Sequence, residues 1–172
     1  GAPIAVQYAQ KFPERVSCLV LYGGYARGVR MRNDPEQEER YIAAAEIIRT
    51  GWGATNPAFR SMFTEIMVPD ASPQQKLGFS ELQRVASSTQ NVGKTNEMNA
   101  LVDVTEVART LDVPTLVLHN EGDRRIPVEE GKRLAALIPG AEFRLFPGDN
   151  QMLVPGTETC GLFMKAMRDF VR

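Results

Sequence analysis

Histidine is almost missing from this sequence: His119 is the only one in 172 residues, and the two cysteines, Cys18 and Cys160, lie far apart in the chain. That is too few ligands for a zinc cluster, and two distant thiols make no disulfide framework, so no metal is expected and a reducing, cytoplasmic compartment is. Cys18 sits in the apolar run "VSCLVLY" and reads as a buried thiol. Charge of one sign is also lacking: 20 basic against 21 acidic residues leave a net charge of -1. Such a balance gives no general attraction to nucleic acid or to an anionic membrane, so neither is an expected partner. The basic cluster "RGVRMR", with Arg27, Arg30 and Arg32, reads as a solvated or ion-paired loop, with anion binding as the alternative. No apolar run is long enough to span a bilayer. No signal-peptide pattern and no initiator methionine are present; the chain opens directly in a helical pattern and reads as cut from a longer one.

What is present is core material. Hydrophobic residues make up 43% of the sequence, enough for one domain with a sizeable interior. Two runs, "VSCLVLYGG" (16–24) and "PTLVLHNEGD" (114–123), are continuously apolar and then closed by turn residues. Continuous apolarity predicts strands buried on both faces, as in a parallel sheet. "AEFRLFPGD" (141–149) alternates, with Glu142 and Arg144 against Phe143 and Leu145, and predicts a strand nearer an edge. Helical spacing flanks these runs. Ile4, Ala5, Tyr8, Ala9 and Phe12 mark one helix; Leu134, Leu137 and Ile138 mark another over 128–138; Leu162, Phe163, Ala166, Met167 and Phe170 mark a last one. The order predicts an α/β fold.

The middle, 33–112, is helical throughout. "NDPEQEERYIAAAEIIRTG", "NPAFRSMFTEIM" and "SPQQKLGFSELQRVA" each begin with a polar cap and a proline. A helical insertion of this size between strands predicts a cap over a site at the strand ends. Tyr25, Trp52, Phe59, Met62, Phe63 and Met152 are the residues expected to line a pocket there, with Ile66, Met67 and Phe79 as further apolar candidates. Such a lining would suit a small apolar ligand; packing of the cap itself is the other use for the same side chains.

Two loops past strand ends carry candidate chemistry: "HNEGDRRIP", with Asp123, and "FPGDNQMLVPG", with Asp149 and Gln151. Asp123 reads either as a functional carboxylate or as an Asx turn before the next helix; Asp149 reads as turn chemistry. His119, at a strand end and four residues before Asp123, reads as structural.

The text "LVLHNEGDRRIPVEEGKRLAALIPGAEFRLFPGDNQ" resembles the α/β-hydrolase fold where that fold keeps its catalytic acid and histidine. "GAPIAVQYAQKFPERVSCLVLYGGYARG" is similar to the helix after the nucleophile and the strand that follows it. The cap and "VPTLVLH" look most like hydrolase-like domains attached to class III adenylate cyclases and helix-turn-helix transcription regulators. The resemblance implies a truncated α/β-hydrolase-like parallel sheet of about three strands. The core would be 1–32 with 113–172, and the cap 33–112. It implies Asp123 at the acid position and no cofactor.

Two departures follow. Only Gly1 can remain of the G-x-S-x-G nucleophile elbow. "GFSEL" (78–82) lacks the closing glycine and lies in a helical pattern, which rules it out as a substitute. Gln151 stands where the resemblance places the histidine, and glutamine has no nitrogen that titrates near neutral pH. The chain alone is therefore expected to be catalytically silent. The alternatives are a ligand-sensing or interaction module and a fragment of an active serine hydrolase. With the elbow strand absent, "SCLVLY" would form an open apolar edge, so a homo-oligomer joined through 16–21 is expected.

Overall fold

The computed structural model describes residues 1–171. In chain order the elements are α1 (Ala2–Lys11), β1 (Leu19–Tyr22), α2 (Pro35–Gly51), α3 (Ala58–Met67), α4 (Pro73–Ala86), α5 (Thr89–Leu101), α6 (Thr105–Arg109), β2 (Thr115–Asn120), α7 (Val128–Leu137), β3 (Glu142–Phe146) and α8 (Glu158–Val171). They form two compact units, Gly1–Ala26 with Asp103–Arg172, and Arg27–Val102.

The first unit holds a three-stranded sheet in the order β1-β2-β3, parallel throughout, with Leu21 opposite Val117 and Leu118 opposite Arg144. Every residue of central β2 is buried, as its unbroken apolar text predicts. The expected first strand is shorter than its apolar run. Pro13–Arg15 form a 3-10 turn, and pairing starts only at Leu19, whose N–H donates to the Pro114 carbonyl at 2.8 Å. Cys18 is thereby left half-buried just outside the strand, not buried. On one face, α8 lays Leu162, Phe163, Ala166 and Phe170 on Leu116, Leu118 and Phe146. Side chains of this size stabilise the fold by about 1.5–3 kcal/mol each when fully buried.

The outer strand β3 departs from simple alternation: Phe146 is buried, but Leu145 is 44% exposed. Helix α1 also turns differently from its apolar spacing. Pro3, Val6 and Ala9 are the buried side, while Ile4 and Tyr8 are exposed. Small residues let the helix come close to the chain after β1; a methyl on Gly24 would lie 2.6 Å from the Ala2 Cβ.

The second unit is α2 to α5. Asp34 caps α2, accepting the Gln37 N–H at 3.0 Å, and Pro35 begins the helix. Ser72 and Gln75 form a capping box at α4. Two arginines of the basic cluster are engaged: Arg30 pairs with Glu38 at 3.6 Å, and Arg32 donates to Gln37 and to the Arg27 carbonyl. Ser80 is buried inside α4, so the "GFSEL" segment is helix and not a turn.

Candidate functional site at the strand ends

Parallel strands bring their carboxyl ends to one edge of the sheet. Gly23, the loop 121–126 and the loop 147–157 meet there. The two loops are joined backbone to backbone: the Glu121 N–H donates to the Phe146 carbonyl at 2.9 Å, and the Gly122 N–H to the Gly148 carbonyl at 3.1 Å. Gly122 permits this approach, since a methyl on it would stand 2.1 Å from Asp149 Oδ1.

Asp123 is buried in this edge. Its Oδ1 accepts the N–H groups of Arg125 at 2.8 Å and Ile126 at 2.9 Å, an Asx turn leading into α7. Its Oδ2 is buried and accepts no hydrogen bond. Burial pushes the carboxyl above its ordinary value of 3.8, against the pull of the Ile126 and Arg125 N–H groups and of His119. One oxygen of Asp123 thus makes the Asx turn, and the other accepts no hydrogen bond.

Gln151, the centre of the second loop, is half-buried and its Nε2 donates to the Gly23 carbonyl at 3.2 Å. Gly23 adopts a φ of 56°, in the left-handed region that glycine enters without strain. A methyl on it would lie 2.7 Å from Gln151 Nε2 and 3.5 Å from Asp123 Oδ2. Gln151 and Asp123 thus flank the same point over Gly23.

His119 is fully buried. Its Nε2 lies 3.0 Å from the Ile126 carbonyl, an oxygen that can only accept, so Nε2 carries the proton. Asp123 Oδ2 is 3.5 Å away, beyond a good hydrogen bond. The other face of the ring meets α7, where a methyl on Gly131 would come within 2.2 Å of Nδ1. The imidazole is a strand-to-loop tie closed to solvent.

Sequence reasoning missed a second polar group at this edge. Tyr22 and Asn120 both donate to the Asn150 carbonyl, at 3.3 Å and 2.7 Å. Burial, with the Asp123 charge adding to it, pushes the Tyr22 phenol well above its usual range, so it remains a donor. Strand-end positions signal such residues, but which loop carbonyl they meet is a tertiary matter. Asp149 is not a turn residue alone: it accepts from Arg124 Nη2 at 2.8 Å on the surface.

Of the pocket candidates, Tyr25 and Met152 belong to the sheet unit, Tyr25 half-buried and Met152 exposed. The other four belong to the helical unit. Trp52 stacks edge-on against buried Phe63 with centroids 5.8 Å apart, and its indole N–H donates to the Ser87 carbonyl. Met62 is half-buried, and Phe59 is exposed and packs on Gly51.

The sequence profile described as alpha/beta hydrolase fold matches residues 1–154. The chain belongs to the α/β-hydrolase fold family. Among its relatives, the pyrrolizixenacetamide deacetylase of Xenorhabdus hominickii is 26% identical over 147 residues, covering 83% of this chain and 53% of the relative. The non-heme chloroperoxidase CPO-A1 of Kitasatospora aureofaciens is 37% identical over 57 residues, 31% of this chain and 21% of the relative. Among solved structures, the bromoperoxidase from Bacillus anthracis superposes with a TM-score of 0.80 at 18% identity, covering 99% of this chain and 64% of that one. The esterase EaEST from Exiguobacterium antarcticum gives 0.82 at 18% identity, covering 100% and 64%. This α/β-hydrolase chain therefore spans about half to two thirds of the length of the relatives it matches over most of its own.

Proposed function

We propose that this chain is the C-terminal part of an α/β-hydrolase-like protein of ester- or acyl-cleaving ancestry, and that it does not turn over substrate by itself. Asp123 is read as the acid of a Ser-His-Asp set and Gln151 as the replacement of its histidine. The observation that carries this is the Gln151 amide on the Gly23 carbonyl, beside a buried Asp123 oxygen that accepts no hydrogen bond. A base is needed to take the nucleophile's proton and return it to the leaving group, and an amide can do neither. The nucleophile is equally wanting: the one serine of the sheet unit, Ser17, precedes β1 and so lies at the opposite end of the parallel sheet.

The test is hydrolysis of an activated ester by the purified chain, together with fluorophosphonate labelling. No turnover above background and no labelled serine are expected, and Gln151→His alone restores nothing, because a base without a nucleophile has no reaction to assist. Turnover abolished by Asp123→Ala, or a labelled serine, would overturn the reading.

A second reading is a ligand-binding or interaction module of a regulator, of the kind fused to adenylate cyclases or helix-turn-helix proteins, with segment 33–112 as its cap. The hydrogen bond of Gln151 to the Gly23 carbonyl favours it over a simple loss of function. The fragment of an active hydrolase is a third reading, supported by the chain's partial span of its relatives. In each, β1 has one strand neighbour among the described residues, which supports assembly with another copy through this edge. Light scattering at micromolar concentration tests that point: a clean monomer with amides 19–22 protected from exchange would remove it.

A further inference from the structure

The edge described above holds a buried carboxylate oxygen that accepts no hydrogen bond. This is Asp123 Oδ2, with His119 Nε2 3.5 Å away and turned to the Ile126 carbonyl, while Oδ1 is saturated by two backbone N–H groups that fix the plane of the carboxyl. The Gly23 carbonyl is held by the Gln151 amide. That bond commits the amide nitrogen and leaves the Gln151 carbonyl oxygen as a further acceptor. Gly23 carries no side chain, and the space its Cβ would take is bordered by Gln151 Nε2 and Asp123 Oδ2. A buried carboxylate oxygen beside neutral acceptors is matched by an occupant that brings both N–H donors and positive charge.

We propose that this cradle binds a small organic cation bearing N–H donors, a guanidinium or a primary ammonium, with Asp123 Oδ2 as its counter-charge and Gln151 as the side chain that admits it. The proposal rests on the non-catalytic reading of the site. Gln151 is half-buried, so its amide can leave Gly23 for water, and an entering N–H takes its place on the carbonyl. A planar guanidinium offers donors at fixed angles to two acceptors at once. A cation without N–H groups meets the charge but not the acceptors.

The experiment is a titration of the 15N-labelled chain at neutral pH with methylguanidinium chloride. Tetramethylammonium chloride at equal ionic strength is the comparison. Saturable shifts of the Gly23 and Ile126 amides and of the Gln151 side-chain NH2 are expected with methylguanidinium alone. Asp123→Asn weakens binding about tenfold by removing the charge-assisted bond, and Gln151→Ala tightens it about threefold by removing the displaced group. Gln151→Arg abolishes it by supplying a guanidinium from the chain itself, and this half-buried position keeps the test available if Asp123→Asn fails to fold. Equal shifts from both cations, no shift at all, or binding indifferent to Asp123→Asn and Gln151→Arg would each overturn the proposal. Absent binding in a chain without ester turnover removes the cation site and leaves the non-catalytic reading; turnover dependent on Asp123 removes that reading itself.

Discussion

The loops after β2 and β3 carry the same dipeptide at the same offset: Gly122-Asp123 and Gly148-Asp149 stand two and three residues past the strand ends at Asn120 and Phe146. Their fates are opposite. Asp123 follows the central strand, is buried, and binds the backbone that opens α7. Asp149 follows the outer strand, and it reaches out to an exposed Arg124. The same Gly-Asp dipeptide therefore ends as a buried carboxylate with a spare oxygen in one loop and a solvent-facing ion pair in the other. The dipeptide alone does not separate them; one follows the central strand and the other the outer strand.

The sharpest way to break this contrast is Asp123→Ala. It leaves the buried Ile126 N–H and the Arg125 N–H without an acceptor, and a loss of about 2–3 kcal/mol is expected in urea unfolding. A loss as small as that of Asp149→Ala would mean that the Asx turn is not held by this side chain. Next is Gly122→Ala, whose methyl would stand 2.1 Å from Asp149 Oδ1. A cost of about 1–2 kcal/mol is expected, and most of it should vanish when Asp149→Ala is present too, because the clash is with that side chain. Additive costs would show that the loops do not touch there.

The pH dependence of Asp123→Asn sharpens the comparison further. In the folded chain burial raises the Asp123 carboxyl above 3.8, so its charged form is disfavoured there. The penalty is absent below 3.8, grows as pH rises through the folded value, and stays constant above it. The Asn variant lacks it, so its stability relative to the natural chain should climb across that window and then level off. Asp34 has the opposite sign, with the Gln37 N–H holding it below 3.8, so its contribution is lost as pH falls; it is common to both chains and cancels. A flat difference between the two unfolding curves would contradict the burial of Asp123. The smallest effect is Asp149→Ala. Its partner is more than half exposed, so less than about 0.5 kcal/mol is expected, fading further in high salt.

Much of the fold was legible because its signals are local. The unbroken apolar text of β2, the Asp34-Pro35 and Ser72-Pro73 helix starts and the amphipathic stripe of α8 each state their own conformation. The failures were cases where a neighbour chose. Of the expected α1 stripe Ala9 is buried, together with Pro3 and Val6, while Ile4 and Tyr8 are exposed, and Ala2 makes the close approach at Gly24. At the site, Gln151 and Asp123 were marked by their loops, while the Tyr22 and Asn120 donors were not, since their acceptor at Asn150 lies 128 and 30 residues away.

By itself the sequence determined which chemistry this chain has at hand: one histidine placed within a strand, glutamine at the centre of the second loop, and two Gly-Asp turns. Composition and periodicity settle such matters because they depend on which residues exist and what lies within a few positions of them. Only the tertiary structure decided that Asp123 and not Asp149 is buried, that the His119 proton is committed to the Ile126 carbonyl, and that Gln151 lies over Gly23 beside a spare carboxylate oxygen. Burial and hydrogen-bond pairing are properties of chain segments brought together from afar by the parallel sheet, and no local pattern encodes which partner a side chain will meet.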